Sequence, residues 1–455
     1  MKNKIYAFFF LALILVALQA KAQEKKWTLQ ECVEYALENN ISVKQSELDL
    51  ELNEISKSDA FGAFLPTANA SASHAWNIGL TPNFAGILQQ QTTQFTNAGI
   101  STSIDIYRGL QIQKQFRRTK MAIIAGQYQL QKMKDDIGLN VANAFLQILF
   151  NKENLKVQQQ QLAIDQKQAE RSAQLVESGQ IPRGDLLDIE ATVTADRQRV
   201  IEAENQLLIS KLSLAQLLQL EDFKNFDIVD EGYEVMPSEI LLQTPEAIYD
   251  KARTLRTEIK LAQANLELAE QDVKIARSAY QPTLRGFYSL DTQVTYEDYA
   301  TFDENGQPVV RTPPPFWQQF WDNKGHTLGF QLNIPILNGF SARNNVDRAK
   351  VALERSKLAY DQQELDLERN IYTAFTDAQG ALKAYEAAVA AAEARAQALE
   401  YAQERYDVGL INVFDLNQAQ TLSVNAQSEV LRTKYDFIFR VKILEFYFGM
   451  PIFQN

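Results

Sequence analysis

Apolar residues recur at every seventh position over two long stretches of the chain. In the second stretch they are Ile371, Ala378, Tyr385, Ala392, Leu399 and Tyr406. In the first, Val141, Ile148, Leu155, Leu162, Ala169 and Val176 stand 230 positions earlier. A seven-residue period held this long predicts helices in coiled-coil packing. The stretches, 110–178 and 340–408, hold about 69 residues each, which as helix is on the order of 100 Å. Each stops at a glycine, Gly179 or Gly409, as a left-handed C-cap requires. Return helices are expected over 182–219 and 412–448, and shorter helical patterns occupy 41–63 and 256–279. Each half therefore reads as one long helix beside two shorter ones stacked end to end. A soluble bundle with ordinary core stripes has the same period.

Between the helical stretches the pattern changes to strict alternation. Leu328, Phe330, Leu332, Ile334 and Ile336 alternate with Thr327, Gly329, Gln331, Asn333 and Pro335. Leu284, Tyr288, Leu290 and Val294 alternate with Arg285, Ser289, Asp291 and Gln293, and Ile100, Ile104 and Ile106 alternate with Ser101, Ser103 and Asp105. A weaker alternation runs through Ala68, Ala70, Ala72, His74 and Trp76. Strands are expected at about 66–77, 98–107, 283–296 and 326–337, joined by long irregular loops at 78–97 and 297–325. They have the length and the one apolar face of tilted membrane strands. A lone four-stranded sheet in lipid leaves unpaired backbone groups, so closure demands further copies. Two copies give eight strands and three give twelve with room for a pore. A sheet packed on a globular core, polar face in water, shows the same alternation.

The chain repeats itself. Phe64-Leu65-Pro66-Thr67 answers Tyr280-Gln281-Pro282-Thr283, and 230 positions separate Ile104 from Ile334, Phe145 from Phe375, Gly179 from Gly409 and Asp185 from Asp415. The organisation read from this is repeat 1 over 23–220, a linker over 221–250 with Pro237 and Pro245, and repeat 2 over 251–455.

Composition narrows the function classes. The 455 residues carry 45 Lys+Arg against 57 Asp+Glu, and the resulting net charge of −12 argues against a general nucleic-acid binder. A single cysteine excludes a disulfide framework and a Cys-based zinc site, and the two histidines, His74 and His326, leave little for a metal centre. Lys2 and Lys4, an apolar run over 5–18 and Ala20-Lys21-Ala22 read as a secretory signal peptide, 1–22. Removing it takes the net charge from −12 to −15. Beyond it no run of eighteen apolar residues occurs, so ordinary transmembrane helices are not expected.

In this order, the residues Trp27-Thr28-Leu29-Gln30-Glu31 with Ala36-Leu37, Phe64-Leu65-Pro66-Thr67, Tyr406-Asp407-Val408-Gly409 and Phe414-Asp415-Leu416 resemble the TolC-like outer-membrane efflux proteins. The likeness covers nearly the whole mature chain. It implies an α+β membrane protein: four membrane β-strands per chain in a trimeric twelve-stranded barrel, and a long α-helical coiled-coil barrel in the periplasm. It implies an outer-membrane location and a passive exit duct that docks a periplasmic adaptor and, through it, an inner-membrane transporter. The two Gly…Asp turns match the family's helical tips, where the entrance is constricted. Tyr406, Asp415, Asp185, Arg183 and Asp407 are the entrance candidates, and Gly179, Gly409, Leu186 and Leu416 the adaptor-docking candidates. The family's gating arginine is replaced by Ile411 and another entrance aspartate by Gln418, with Arg183 nearby. That swap suggests a rearranged lock in which Arg183 pairs with Asp415 or Asp407.

General preferences account for some of these residues as well. Asp185 and Asp415 fall in first helical turns, where negative charge is favoured. Tyr406 continues the heptad stripe. The sequence holds no H-E-x-x-H, G-x-S-x-G, Walker or dinucleotide motif, so no enzyme, cofactor or metal is expected. The competing reading is a non-transporting periplasmic coiled-coil adaptor or envelope spacer.

Overall fold

The structure, a computed structural model, describes residues 26–82, 86–221, 226–229, 235, 238–304 and 306–450. The expected signal peptide lies outside the described residues. Spatial contacts divide the chain into two compact units, one of 1–49, 126–262 and 360–455, the other of 50–125 and 263–359.

The chain enters through β1 (Lys26–Trp27), followed by α1 (Leu29–Asn39) and α2 (Ile41–Gly62). Thr28 opens α1 with a capping box, its Oγ1 accepting from Glu31 N while the Glu31 carboxylate accepts from Thr28 N. Strands β2 (Thr67–Pro82) and β3 (Leu88–Arg108) lead into the 67-residue helix α3 (Gln111–Glu177) and the return helix α4 (Arg183–Leu218). After β4 (Asp227–Ile228), which pairs in parallel with β1, come α5 (Pro245–Leu255) and α6 (Thr257–Ala276). Then follow β5 (Thr283–Thr295), the small hairpin β6 (Tyr299–Phe302) and β7 (Pro308–Arg311), α7 (Phe316–Asp322) and β8 (Gly325–Asn333). The chain closes with the 67-residue α8 (Ser341–Asp407) and α9 (Val413–Tyr447).

The first unit is helical, and its two largest apolar clusters sit between helices. Val141, Phe145, Ile148 and Leu149 of α3 pack with Cys32, Val33 and Ala36 of α1 and with Leu214 and Leu218 of α4. Ile371 and Ala378 of α8 pack with Phe437, Val441 and Leu444 of α9 and with Ile248 and Ala252 of α5. Polar ties pin the same region. Asp227 receives Lys152 and Lys211 at 2.8 and 3.0 Å, and these two ammonium groups hold its carboxyl below the usual range in spite of its burial. Arg256 lies over the Phe446 ring at 3.7 Å and pairs with Glu258 at 3.1 Å.

The second unit carries an antiparallel four-stranded sheet in the order β2-β3-β5-β8. Its register puts Ala70, Ile100 and Leu290 in one row, and Leu284 opposite Leu332 in another. Even-numbered residues of β5 and β8 share the apolar face and odd-numbered ones the polar face. Leu328 and Phe330 stand 78% and 71% exposed on the apolar face.

Four expectations are corrected. The stretch 78–97 is mostly strand, not loop: β2 continues to Pro82 and β3 starts at Leu88. Its Gln89–Thr93 run has no apolar alternation, but backbone pairing needs none. The stretch 297–325 is built from the β6–β7 hairpin and α7. The strand expected to reach 337 stops at Asn333, because its partner Thr283 is the first residue of β5 and nothing beyond it continues the ladder. The linker ends sooner than 250, since Pro245 occupies the first helical position of α5 behind the Thr244 cap.

Candidate functional site

The tips of the two helical pairs are built alike. At the first, Gly179 has φ +70° and its N–H donates to Val176 O, while Gln180 N–H donates to Leu175 O at 2.8 Å. At the second, Gly409 has φ +76°, its N–H donates to Tyr406 O and Leu410 N–H donates to Arg405 O at 2.8 Å. Both are Schellman turns, in which the left-handed residue is glycine because a Cβ is penalised there. Four residues later, behind the caps Pro182 and Asn412, the helices restart. Asn412 caps α9 by accepting from Asp415 N–H at 2.9 Å, whereas Pro182 begins α4 with no side-chain cap.

Behind the turns one apolar cluster joins the two pairs. Ile189 and Val193 of α4 and Val413 of α9 are buried, with Leu162, Ala169 and Tyr406 packed against them. Tyr406 is thus a half-buried packing residue of this cluster. Two polar bridges flank it. Arg171 Nη1 of α3 donates to Asp407 Oδ1 of α8 at 3.2 Å, and Asn417 Nδ2 of α9 donates to Thr192 Oγ1 of α4 at 3.1 Å.

Interleaved with this cluster along the α3–α4 seam are buried polar positions. Gln161, Asp165 and Ser172 of α3 and Asp196 of α4 are all buried. Gln161 Nε2 donates to Asp165 Oδ2 at 2.7 Å, and Arg199 Nη1 donates to Asp196 Oδ1 at 2.8 Å. Among the described residues the other Asp196 oxygen has no donor. Burial and the neighbouring Asp196 carboxylate push Asp165 up to about 7.

On the sheet, the polar face holds a groove of about 380 Å³ lined by Ser71, Ser73, Asn97, Asp291 and Gln293 among others. Farther along the same face Arg285 Nη2 donates to Ser103 Oγ at 2.6 Å. A polar trough on one side of a sheet and a bare apolar band on the other suit a wall between water and lipid. Among the described residues no helix is long and apolar enough to cross a membrane.

The family model for the outer membrane efflux protein matches residues 32–219 and 248–447. The chain belongs to the outer membrane efflux protein family. The chain is 23% identical over 313 residues to outer membrane protein TolC of Vibrio cholerae, covering 67% of this chain and 65% of that one. It is 23% identical over 281 residues to protein CyaE of Bordetella pertussis, covering 62% and 55%. The matched stretches thus span less than two thirds of these relatives' own length. Among solved structures, the Campylobacter jejuni CmeC outer membrane channel superposes with a TM-score of 0.78 at 17% identity, over 94% of this chain and 87% of that one. The fold is that of an outer-membrane channel, and the outer membrane is its location.

Set into this efflux-protein fold, the entrance candidates fare differently. Asp185 and Asp415 lie in the first turns after the tips, Asp185 half-buried and Asp415 exposed. Arg183 is exposed and, among the described residues, makes no ion pair; within the protomer Asp407 is held by Arg171 instead. Leu416 is fully buried and its side chain is no docking surface. The α9 face 413, 416, 420 points inward, so the apolar groups presented outward at the tips are Leu187, Val408, Leu410 and Phe414. Leu186 is half-buried. Arg171 and the Asp165–Asp196 pair were not legible as site residues. Asp165 carries one signal, its place three residues after the stripe position Leu162, where a core residue belongs.

Proposed function

We propose that three copies of the chain join their four-stranded sheets into one twelve-stranded barrel and serve as a passive exit duct. The observation that supports this most is the sheet itself: two unpaired edges, β2 and β8, and an apolar face left bare. In hydrocarbon such edges must be paired, and β8 running antiparallel to a neighbour's β2 continues the alternation. The polar face then lines a lumen with Arg285, Asp291 and Gln331. The helical pairs project into the periplasm and their tips form the entrance. Exposed Leu187, Leu410 and Phe414 offer an adaptor its apolar contacts. Energy comes from an inner-membrane transporter reached through that adaptor. The bridges Arg171–Asp407 and Asn417–Thr192 tie the α8–α9 pair to the α3–α4 pair, and we assign them the closed state of the entrance. Asp185, Asp415 and Arg183 of three copies ring the same mouth.

The test is extraction and conductance. Purified from outer membrane in detergent, the protein should run as a heat-modifiable trimer and insert channels of uniform conductance into planar bilayers. A monomer released by osmotic shock, giving no channels, would overturn the reading.

A further inference from the structure

The segment between β5 and β8 takes no part in the duct as drawn, yet it is tightly built. Helix α7 follows Pro313-Pro314-Pro315 and is fastened to β5 through the buried Gln319. Its Nε2 donates to Thr295 O at 2.9 Å and to Pro314 O at 2.7 Å, and its Oε1 accepts from Thr295 N–H at 3.1 Å. Thr292 Oγ1 donates to Phe320 O at 2.9 Å, and Asn323 Nδ2 donates to Gln293 O at 2.7 Å. Pairing of β8 with β5 ends at Gly325–Asp291, so α7 seats where the partner strand has stopped. Thr292 and Val294, both on the apolar face, are buried there.

A helix held this firmly still turns two indoles outward: Trp317 is 67% exposed and Trp321 58%. Apolar surface displayed on a fixed element marks a contact. The register shows what lies level with it. Val294 pairs with Thr96 and Thr96 with His74, placing Tyr296 and Trp76 in the next row. His74 packs on Trp76 at 4.2 Å and on Tyr296 at 5.6 Å. These aromatics lie on the apolar face, at the C-terminal end of β5. Lys324 Nζ rests 4.8 Å over the Trp321 ring and, among the described residues, has no ion-pair partner. Indoles beside a free ammonium, continuous with an apolar strand band, match the lipid–water boundary of a bilayer.

We infer that α7 is a membrane foot: Trp317 and Trp321 enter the outer leaflet at headgroup depth, and Lys324 meets a phosphate-bearing headgroup. This rests on the membrane placement of the sheet, which the test checks separately. The full-length trimer is reconstituted into phosphatidylcholine–phosphatidylglycerol vesicles containing phosphatidylcholine brominated near the headgroup, and tryptophan emission is read. One variant, W27F/W76F, reports Trp317 and Trp321; another, W27F/W317F/W321F, reports Trp76. Bromolipid should remove roughly half the emission of the Trp317/Trp321 pair, and aqueous iodide should quench it little, as for indoles at an interface. If Trp76 is quenched while the pair is reached by iodide alone, α7 stands in water and the foot is refuted. If Trp76 is quenched and neither reagent touches the pair, a neighbouring copy covers α7 and the proposal fails equally. An unquenched Trp76 in a vesicle-bound trimer sinks the membrane placement, and the foot with it. Should the W27F/W76F chain not trimerise, the difference between wild type and W317F/W321F gives the same readout.

Discussion

Two carboxylates in contact inside a helix seam repel unless one holds a proton. Asp165 and Asp196 are in that position, and the donorless Asp196 oxygen is where the proton of Asp165 would be shared. The folded protein keeps Asp165 protonated up to about 7, whereas the unfolded chain releases the proton near 3.8. Between those values the folded state binds more protons, so stability falls as pH rises and levels off once Asp165 is ionised in both states. Asp165→Asn keeps an acceptor for Gln161 and offers an amide N–H to Asp196. We expect wild-type melting temperature to decline from about pH 5 to about pH 8 while the variant's profile stays flatter and lies higher at the alkaline end. Parallel profiles would show that the pair carries no proton. Arg171–Asp407 is a weaker contact, exposed by 57% and 40% on its two sides. Such a pair contributes about 0.5 kcal/mol, so three copies acting together amount to roughly 1.5 kcal/mol, about tenfold in a closed-to-open ratio. Arg171→Ala should raise closed-state conductance in planar bilayers by that order, and Arg183→Ala should raise it less. Equal conductance of Arg171→Ala and wild type would remove the bridge from the lock.

At the scale of elements the two tips share their glycine turns but differ in how the next helix begins. Asn412 satisfies an orphan donor of α9 through its side chain, and Pro182 offers α4 only its backbone. Losing an asparagine cap costs about 1 kcal/mol. Asn412→Ala should therefore speed hydrogen exchange at amides 413–416 roughly fivefold by local fraying, leaving 183–186 unchanged. Unchanged exchange at both tips would mean that packing of Val413 and Leu416, rather than the cap, fixes the start of α9. The elements were legible where a period is sustained. The heptad stripe marks α3 and α8, Gly179 and Gly409 mark their ends, and alternation marks β5. The polar seam was not, because Gln161, Asp165 and Ser172 are polar and a hydrophobicity pattern passes over them. The start of β3 escaped for the same reason: it lies among Gln and Thr, where ladder bonds hold the strand and side chains give no sign, whereas the end of β2 did carry a sign in Ile78 and Leu80, which continue the alternation of Trp76. Leu416 was misplaced because a motif gives a residue's neighbourhood, not which side of its helix faces in.

For the whole molecule, the decisive asymmetry lies between adjacent residues. Phe330 and Gln331 are neighbours on β8, paired with Gly286 and Arg285, yet one belongs to the apolar face and the other to the polar one. If the sheet stands in a bilayer, a charge at 330 must be placed in hydrocarbon and a charge at 331 in water. The first costs about 2–4 kcal/mol per copy near the bilayer midplane, and a trimer incurs it three times. Phe330→Arg should then deplete the heat-modifiable trimer from the outer-membrane fraction, while Gln331→Arg leaves assembly intact and shifts ion selectivity toward anions. A sheet with both faces in water gives no ranking, since Phe330 and Gln331 are both exposed in the single chain and an arginine at either would then be harmless. Equal depletion by both would point to strand damage, which the thermal stability of the extracted protein separates from membrane cost. The two neighbours differ by one step of the pleat, so the comparison isolates which face meets lipid from everything else the chain does.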